Sequence, residues 1–315
     1  MLRKGIKCAS ECIVADLLPT YLRPVFVSGF TIARNVVQGD YPLREAVESI
    51  LPLVDELIIA VGQSEDQTLE YVRSFPSPKI RIIETVWDDR LRKGGAVLAV
   101  ETNKALDACN PNADWCVYIQ ADECLHEADY PAIKTAMHKY VQDARVEGLL
   151  FDYKHFYGSY DFLADSRRWY RHEVRIIRRN PAIRSYMDAQ GFRKNGKEKL
   201  RVVHSGGTVY HYGWVKHPEA QTQKLVQSSR FWHADDFVQE IADAGSFDYS
   251  KIDSLKLFEG QHPEVMKERI ARINWSFNAD PTRKRFGFKQ RMLYLLERIS
   301  GWRPGEFRNY TKINP

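Results

Sequence analysis

From residue 25 to about 142 the chain switches between two rhythms of apolar and polar positions. Short unbroken apolar runs, VFVSGF (25–30), ELIIAVG (56–62), KIRIIETVW (79–87) and WCVYIQ (115–120), predict buried strands. Between them the apolar residues recur at helical spacing. Asp40 and Pro42 start a helix marked by Leu43, Ala46, Val47, Ile50 and Leu51. A short helix begins near Thr68, and Gly94-Gly95 opens another that carries Ala96, Ala99, Val100, Asn103 and Leu106. One more follows Pro131 with Ile133, Met137, Tyr140 and Val141 on one side. Strands joined by short crossover helices predict an α/β fold with a mostly parallel sheet covered on both faces. Ligands then gather at the carboxyl ends of the strands.

The second half changes character. GLLFDYKHFYG (148–158), HEVRIIRR (172–179) and LRVVHSGGTVYHYGW (200–214) predict strands that add mixed or antiparallel edges. From His217 the pattern turns helical over 217–243, 263–273 and 287–300, with loops near Gly245 and Gly260. The expected organisation is an N-terminal extension (1–24), a main domain (25–215) and a helical C-terminal region with a basic tail (216–315).

Composition narrows the class. Of 315 residues 44% are hydrophobic and 28% charged, ordinary for a globular protein and too apolar for disorder. No apolar run is long enough to span a membrane. The first residues are basic and partly apolar, but Glu11 and Asp16 interrupt any signal-peptide core. Five cysteines (8, 12, 109, 116, 124) without a CxxC pair argue against a disulfide framework and for a reducing cytosol. Residues 282–315 hold nine Lys/Arg against two Glu, a balance of +7 that leaves −2 for the rest of a chain totalling +5. Met292, Leu293, Leu295, Leu296 and Ile299 lie in this tail at roughly helical spacing. It reads either as a docked terminal helix with a solvated basic face or as a helix lying on a membrane surface. Nucleic-acid binding would rest on the tail alone and is not expected.

Chemistry concentrates where the fourth apolar run ends, at Gln120-Ala121-Asp122-Glu123. A carboxylate at a strand end, beside a diphosphate, is a usual way to place Mg²⁺ or Mn²⁺, which take oxygen ligands and leave positions to phosphate and water. Gln63 and Asp66, after the second run, either read a nucleotide base or, for Asp66, cap the next helix. His211, at the end of the last strand, is an edge residue or a third metal ligand. His126, His138 and His233 receive no role. The cationic stretch 167–197 contains only two other carboxylates of note, Glu173 and Asp188. It reads as a solvated basic strand pair or as an acceptor cleft with one carboxylate as general base. TIARN after the first strand is not G-x-G-x-x-G, and no P-loop sequence occurs, which excludes the usual dinucleotide sites and the P-loop ATPases.

In order and spacing, SGFTIARN, LPLVDELIIAVGQSEDQT, the GG…ETNKAL helix and DWCVYIQADE resemble the family 2 glycosyltransferases, which have the GT-A type nucleotide-sugar-binding fold. The resemblance covers roughly residues 25–215. It implies an inverting, hexosyltransferase-like enzyme that moves sugar from a nucleotide-diphosphate sugar to a glycan or lipid-linked glycan, in the cytoplasm or peripherally at the inner face of the membrane. It implies donor contacts at Phe30, Ile32, Arg34, Gln63, Asp66, Lys93, Asn103, Gln120 and Ala121, with Asn35 bracing the first turn. The metal would lie on Asp122, with Glu123 and His211, and the base would be Asp188 or Glu173. Asp188 is preferred because SYMDAQGF is loop-like, whereas Glu173 begins a strand among arginines. Two departures stand out: Gln120 occupies the place of a first aspartate, and the acidic pair that usually heads a late helix is absent. A nucleotidyltransferase would need a glycine-rich basic loop where TIARN stands. A non-catalytic nucleotide-sugar-binding protein is the remaining alternative.

Overall fold

The computed structural model describes residues 24–314. Residues 1–23, with Cys8 and Cys12 and nearly all of the expected N-terminal extension, lie outside the described residues. In chain order the first half comprises β1 (Val27–Ala33), α1 (Leu43–Ile50), β2 (Glu56–Gly62), α2 (Thr68–Arg73), β3 (Ile80–Thr85), α3 (Ala96–Ala108), β4 (Trp115–Tyr118), β5 (Glu123–Leu125) and α4 (Tyr130–Tyr140). The second half comprises β6 (Gly148–Tyr157), β7 (Ser159–Ala164), β8 (His172–Arg178), β9 (Ile183–Tyr186), β10 (Gly191–Lys194), β11 (Glu198–Trp214), α5 (Pro218–Ser229), α6 (Asp235–Asp243), β12 (Leu255–Leu257), α7 (Lys267–Ala271), α8 (Phe288–Ser300) and β13 (Tyr310–Lys312).

The fold is α/β: one curled mixed sheet flanked by helices, with a helical C-terminal extension. Strands β3-β2-β1-β4 are parallel neighbours, as their crossover helices require. Beyond β4 the sheet continues β8-β6-β11, with β8 antiparallel to both of its neighbours and β6 parallel to β11. Residue alternation along the central strands builds two cores. Leu57, Ile59, Val61, Trp115 and Val117 face α1 and α4. Phe30, Ile58, Ala60, Cys116 and Tyr118 face α3 and the β9–β10 hairpin.

Two details of connection position the site. After β4 the chain turns back as β5, which pairs antiparallel with the far end of β11, Glu123 opposite His211. The helical run expected over 217–243 is broken at Arg230–Ala234, and α5 runs back across the carboxyl ends of β1 and β4. The turn after it meets the α3 start, where Gly95 N–H donates to the Phe231 carbonyl at 3.2 Å.

Candidate active site

At the carboxyl ends of β1 and β4 lies a cavity of about 200 Å³ lined by Ile32, Arg34, Tyr41, Trp87, Gln120, Ala121, Asp122, Asp188, Phe231 and Trp232, among others. A second hollow of about 340 Å³, lined by Arg34, Asn35, Glu65, Arg92, Arg230 and Asp235, shares Arg34, Tyr41, Ser228 and Phe231 with it. Together they form one cleft. Phe231 packs on Trp87 at 5.3 Å between ring centroids, so the turn after α5 is its roof.

The two acids after β4 have opposite fates: Asp122 sits in the turn closed by the Glu123 N–H on the Gln120 carbonyl at 3.1 Å, and Glu123 opens β5. Asp122 lines the cleft. Glu123 is fully buried and grips Arg175 with both oxygens, at 2.7 and 2.8 Å, while also accepting from the Tyr153 hydroxyl at 2.8 Å and from Gln120 N–H at 3.1 Å. Its oxygens are taken up by this structural pair, which corrects the expectation of Glu123 as a metal ligand.

Asp122 Oδ2 accepts from the Lys224 ammonium at 2.9 Å and lies 3.8 Å from His211 Nε2. Burial alone would raise its pKa, but the Lys224 ammonium, together with Lys216, outweighs that and holds the carboxyl well below the ordinary aspartate range. Lys224 also donates to the Gly213 carbonyl at 2.8 Å and lies over the Tyr41 ring. Gly213 must lack a side chain, since a Cβ there would stand 2.6 Å from Asp122 Oδ2 and 2.7 Å from His211 Nε2.

The His211 tautomer follows from its neighbours. His155 Nε2 faces the Tyr170 carbonyl at 2.8 Å and must donate. Burial keeps His155 neutral, so its Nδ1 accepts, and the nitrogen 3.1 Å away, His211 Nδ1, donates to it. Burial likewise depresses His211, and the neutral ring then turns the bare Nε2 lone pair toward Asp122. Asp122 Oδ2, which already accepts from Lys224, and the His211 Nε2 lone pair thus lie 3.8 Å apart; Asp122 lines the cavity, whereas His211 is not among its lining residues. Among the described residues no group of three or more His, Cys, Asp or Glu gathers to hold a metal ion. Asp122 and His211 are the two residues that could hold a divalent cation there, with Lys224 displaced from Asp122 Oδ2 and the remaining ligands drawn from a diphosphate and water.

Asp188 lines the same cavity. Met187 (φ 50°) and Ala189 (φ 57°), both left-handed, flank it, so the loop is held against local preference by its surroundings. One constraint is Gly95, itself left-handed at φ 69°, whose hypothetical Cβ would lie 3.1 Å from the Asp188 Cα and Cβ. Another is the Gln120 side chain, whose amide reaches the Ala189 carbonyl at 3.4 Å. Burial raises the Asp188 pKa, with its own and the Gln190 N–H and the Arg175 charge opposing.

The other expected residues divide. Ile32, Arg34, Gln120 and Ala121 line the cavity. Arg34 pairs with Asp89 at 2.7 Å and lies over Trp87. Phe30 does not reach the cleft: deeper in β1, it is buried on Tyr118 at 5.2 Å and on Phe192. Asp66 acts as a brace, one oxygen accepting from Gln38 N–H at 2.8 Å and the other from Thr68 N–H at 2.9 Å. Asn35 ties the same two loops together, accepting from Glu65 N–H at 2.8 Å. Asn103 joins α3 to β9 through both backbone groups of Ser185, at 2.8 and 3.2 Å. Gln63 and Lys93 are exposed and do not line the cavity. Glu173 is buried away from the cleft, accepting from Val174 N–H and the Asn309 amide, and burial pushes its pKa up to about 7. Lys224, Tyr41, Trp87, Phe231 and Trp232 were not expected. The run QKLVQSSRFW, basic and aromatic at the end of a helix, was the available signal.

No protein-family model matches the chain, and no curated protein matches it in sequence. Solved structures similar to it include residues 1–349 of TarS from S. aureus (12% identity, 73% of this chain and 68% of that one, TM-score 0.35). Another is glucosyl-3-phosphoglycerate synthase from Mycobacterium tuberculosis with Mn²⁺, UDP and phosphoglyceric acid (22%, 42% and 43%, TM-score 0.28), where the match spans less than half of either chain. A third is 4-diphosphocytidyl-2C-methyl-D-erythritol synthase from Anaerococcus prevotii (11%, 49% and 70%, TM-score 0.31). All three scores lie below 0.5, and the reading of the site rests on this chain's own side chains.

Proposed function

We propose that the chain is an inverting glycosyltransferase of the GT-A type, moving a sugar from a nucleotide-diphosphate sugar to a hydroxyl of a glycan or lipid-linked glycan. The observation that carries this reading is that two carboxylates of unlike state line one cavity. Asp122, held ionised beside Lys224 and His211, suits a cation or a leaving diphosphate. Asp188, raised by burial on a strained loop, suits a proton acceptor. The base hollow would be the part lined by Arg34, Asn35, Glu65 and Arg230.

Asp188 takes the proton of the acceptor hydroxyl. The freed oxygen attacks the anomeric carbon, its new C–O bond forming as the bond from that carbon to the diphosphate oxygen breaks, and the nucleoside diphosphate leaves with that electron pair. Trp87, Phe231 and Trp232 roof the cleft and exclude water, which would otherwise compete as acceptor. Lys224 and Arg34 offer positive charge to the departing phosphates. Mn²⁺ or Mg²⁺ on Asp122 and His211 Nε2 would supply further charge neutralisation at the leaving group.

The test is a panel of nucleotide-sugars incubated with the protein and Mn²⁺, followed for release of nucleoside diphosphate with and without glycan acceptors. Release that is unchanged in Asp188→Asn and in Asp122→Ala would count against this cleft. Formation of pyrophosphate from a nucleoside triphosphate and a sugar phosphate would replace the reading with nucleotidyl transfer.

A further inference from the structure

Helix α8 docks the wrong way round for a helix that serves only the core. At about 100° per residue, Phe288, Met292, Leu295 and Ile299 fall within roughly 60° of arc and form a single stripe. That stripe faces solvent: the four side chains are 85%, 52%, 51% and 77% exposed, and Trp302 just beyond the helix is 61% exposed. The helix is held instead by its polar side. Tyr294 donates to Asp165 at 2.6 Å, and Glu297 pairs with Arg167 at 3.0 Å and Arg303 at 3.3 Å. Lys289 borders the apolar stripe on one edge, Arg291 and Arg298 on the other, and all three are exposed.

We propose that this face of α8 is a membrane-surface anchor that lies in the headgroup layer of an anionic bilayer. The apolar stripe would enter the acyl boundary while Lys289, Arg291 and Arg298 meet lipid phosphates, and Trp302 would sit at the interface. The charge selects the occupant. A second copy of this chain would bring the same cations to the same stripe, whereas an anionic lipid surface complements them. Among the described residues no helix is long and apolar enough to cross a membrane, so the contact lies on the surface. The fixed docking of the polar side means that the stripe is presented without unfolding.

The experiment is flotation of the full chain with vesicles of phosphatidylcholine alone and of phosphatidylcholine mixed equally with phosphatidylglycerol. The wild type is expected to bind the anionic vesicles, more weakly as salt rises. Leu295→Glu with Ile299→Glu should reduce that binding by about tenfold or more. Lys289→Gln with Arg291→Gln should weaken binding to the anionic vesicles only. Because these side chains are exposed, thermal midpoint and elution volume should match the wild type. Equal binding by the stripe variant, or no binding by the wild type, overturns the proposal. So does a wild-type dimer that the stripe variant converts to monomer without any vesicle binding, which would assign the face to a second copy.

Discussion

At the residue scale, what matters is which atom of each side chain is left open. Asp122 and Glu123 are adjacent and chemically alike, yet Arg175 takes both oxygens of one, whereas the other lines the cavity with one oxygen on Lys224. Asp188→Asn keeps shape but cannot accept a proton, so transfer should fall by about a hundred- to ten-thousand-fold. Donor binding, followed by thermal shift, should hold. The wild-type rate should rise with pH through a value above the ordinary aspartate range, because burial favours the protonated carboxyl. A pH-independent rate down to the ordinary range would argue for another base. Gly213→Ala should strike Asp122 and His211 together. Its Mn²⁺ affinity, measured by titration without nucleotide, is expected to drop at least about tenfold in a protein that still melts cooperatively. Lys224→Gln should move that affinity the other way, since an ammonium at 2.9 Å competes with a cation for the same oxygen.

At the scale of elements, Glu173 belongs to the joint between β8 and the chain leading into β13. The Asn309 amide donates to it, and the Arg193 guanidinium donates to the Asn309 carbonyl at 2.9 Å. Its carboxyl ionises at 4.5 when unfolded and near 7 in place. The unfolded chain therefore gives up its proton first as pH rises. Stability is intact below about 4.5 and falls between 4.5 and 7, at most by about 1.4 kcal/mol for each pH unit between those values. Glu173→Gln should remove that slope and melt no lower than wild type at pH 8. Denaturant melts across pH 4–8 would show it, and a variant that stays folded but loses all transfer would return the base assignment to Glu173.

At the scale of the molecule, the C-terminal region closes structures begun in the first half. Residues of α5 and its following turn roof the cleft, and β13 pairs with β11, Leu200 opposite Tyr310. Truncation after residue 281 would remove β13, Asn309 and the Arg303 guanidinium that binds the Ser166 and Trp169 carbonyls. We expect that protein to lose several degrees of thermal midpoint or to precipitate, unlike the substitutions on the outer face of α8. A truncated chain as stable as the full one would make the tail an appendage.

The sequence by itself determined the α/β layering, because buried apolar runs and helical spacing are local patterns imposed by water, and each run of the first half became a strand in the parallel sheet. Asp122 at a strand end and Asp188 on a loop were legible from where apolar runs stop, and both line the same cavity. Short strands such as β5, β9 and β13 were not legible, since three or four residues carry too little period and are fixed by their partners. Tertiary structure alone decided that Glu123 belongs to Arg175, that Phe30 is core, and that Lys224 stands beside Asp122 from 102 residues away. It also turned the apolar side of α8 outward, against the usual reading of such a stripe. Spacing along a chain states which residues share a face; what that face meets depends on segments distant in sequence, and charge pairing and burial are settled only when those arrive.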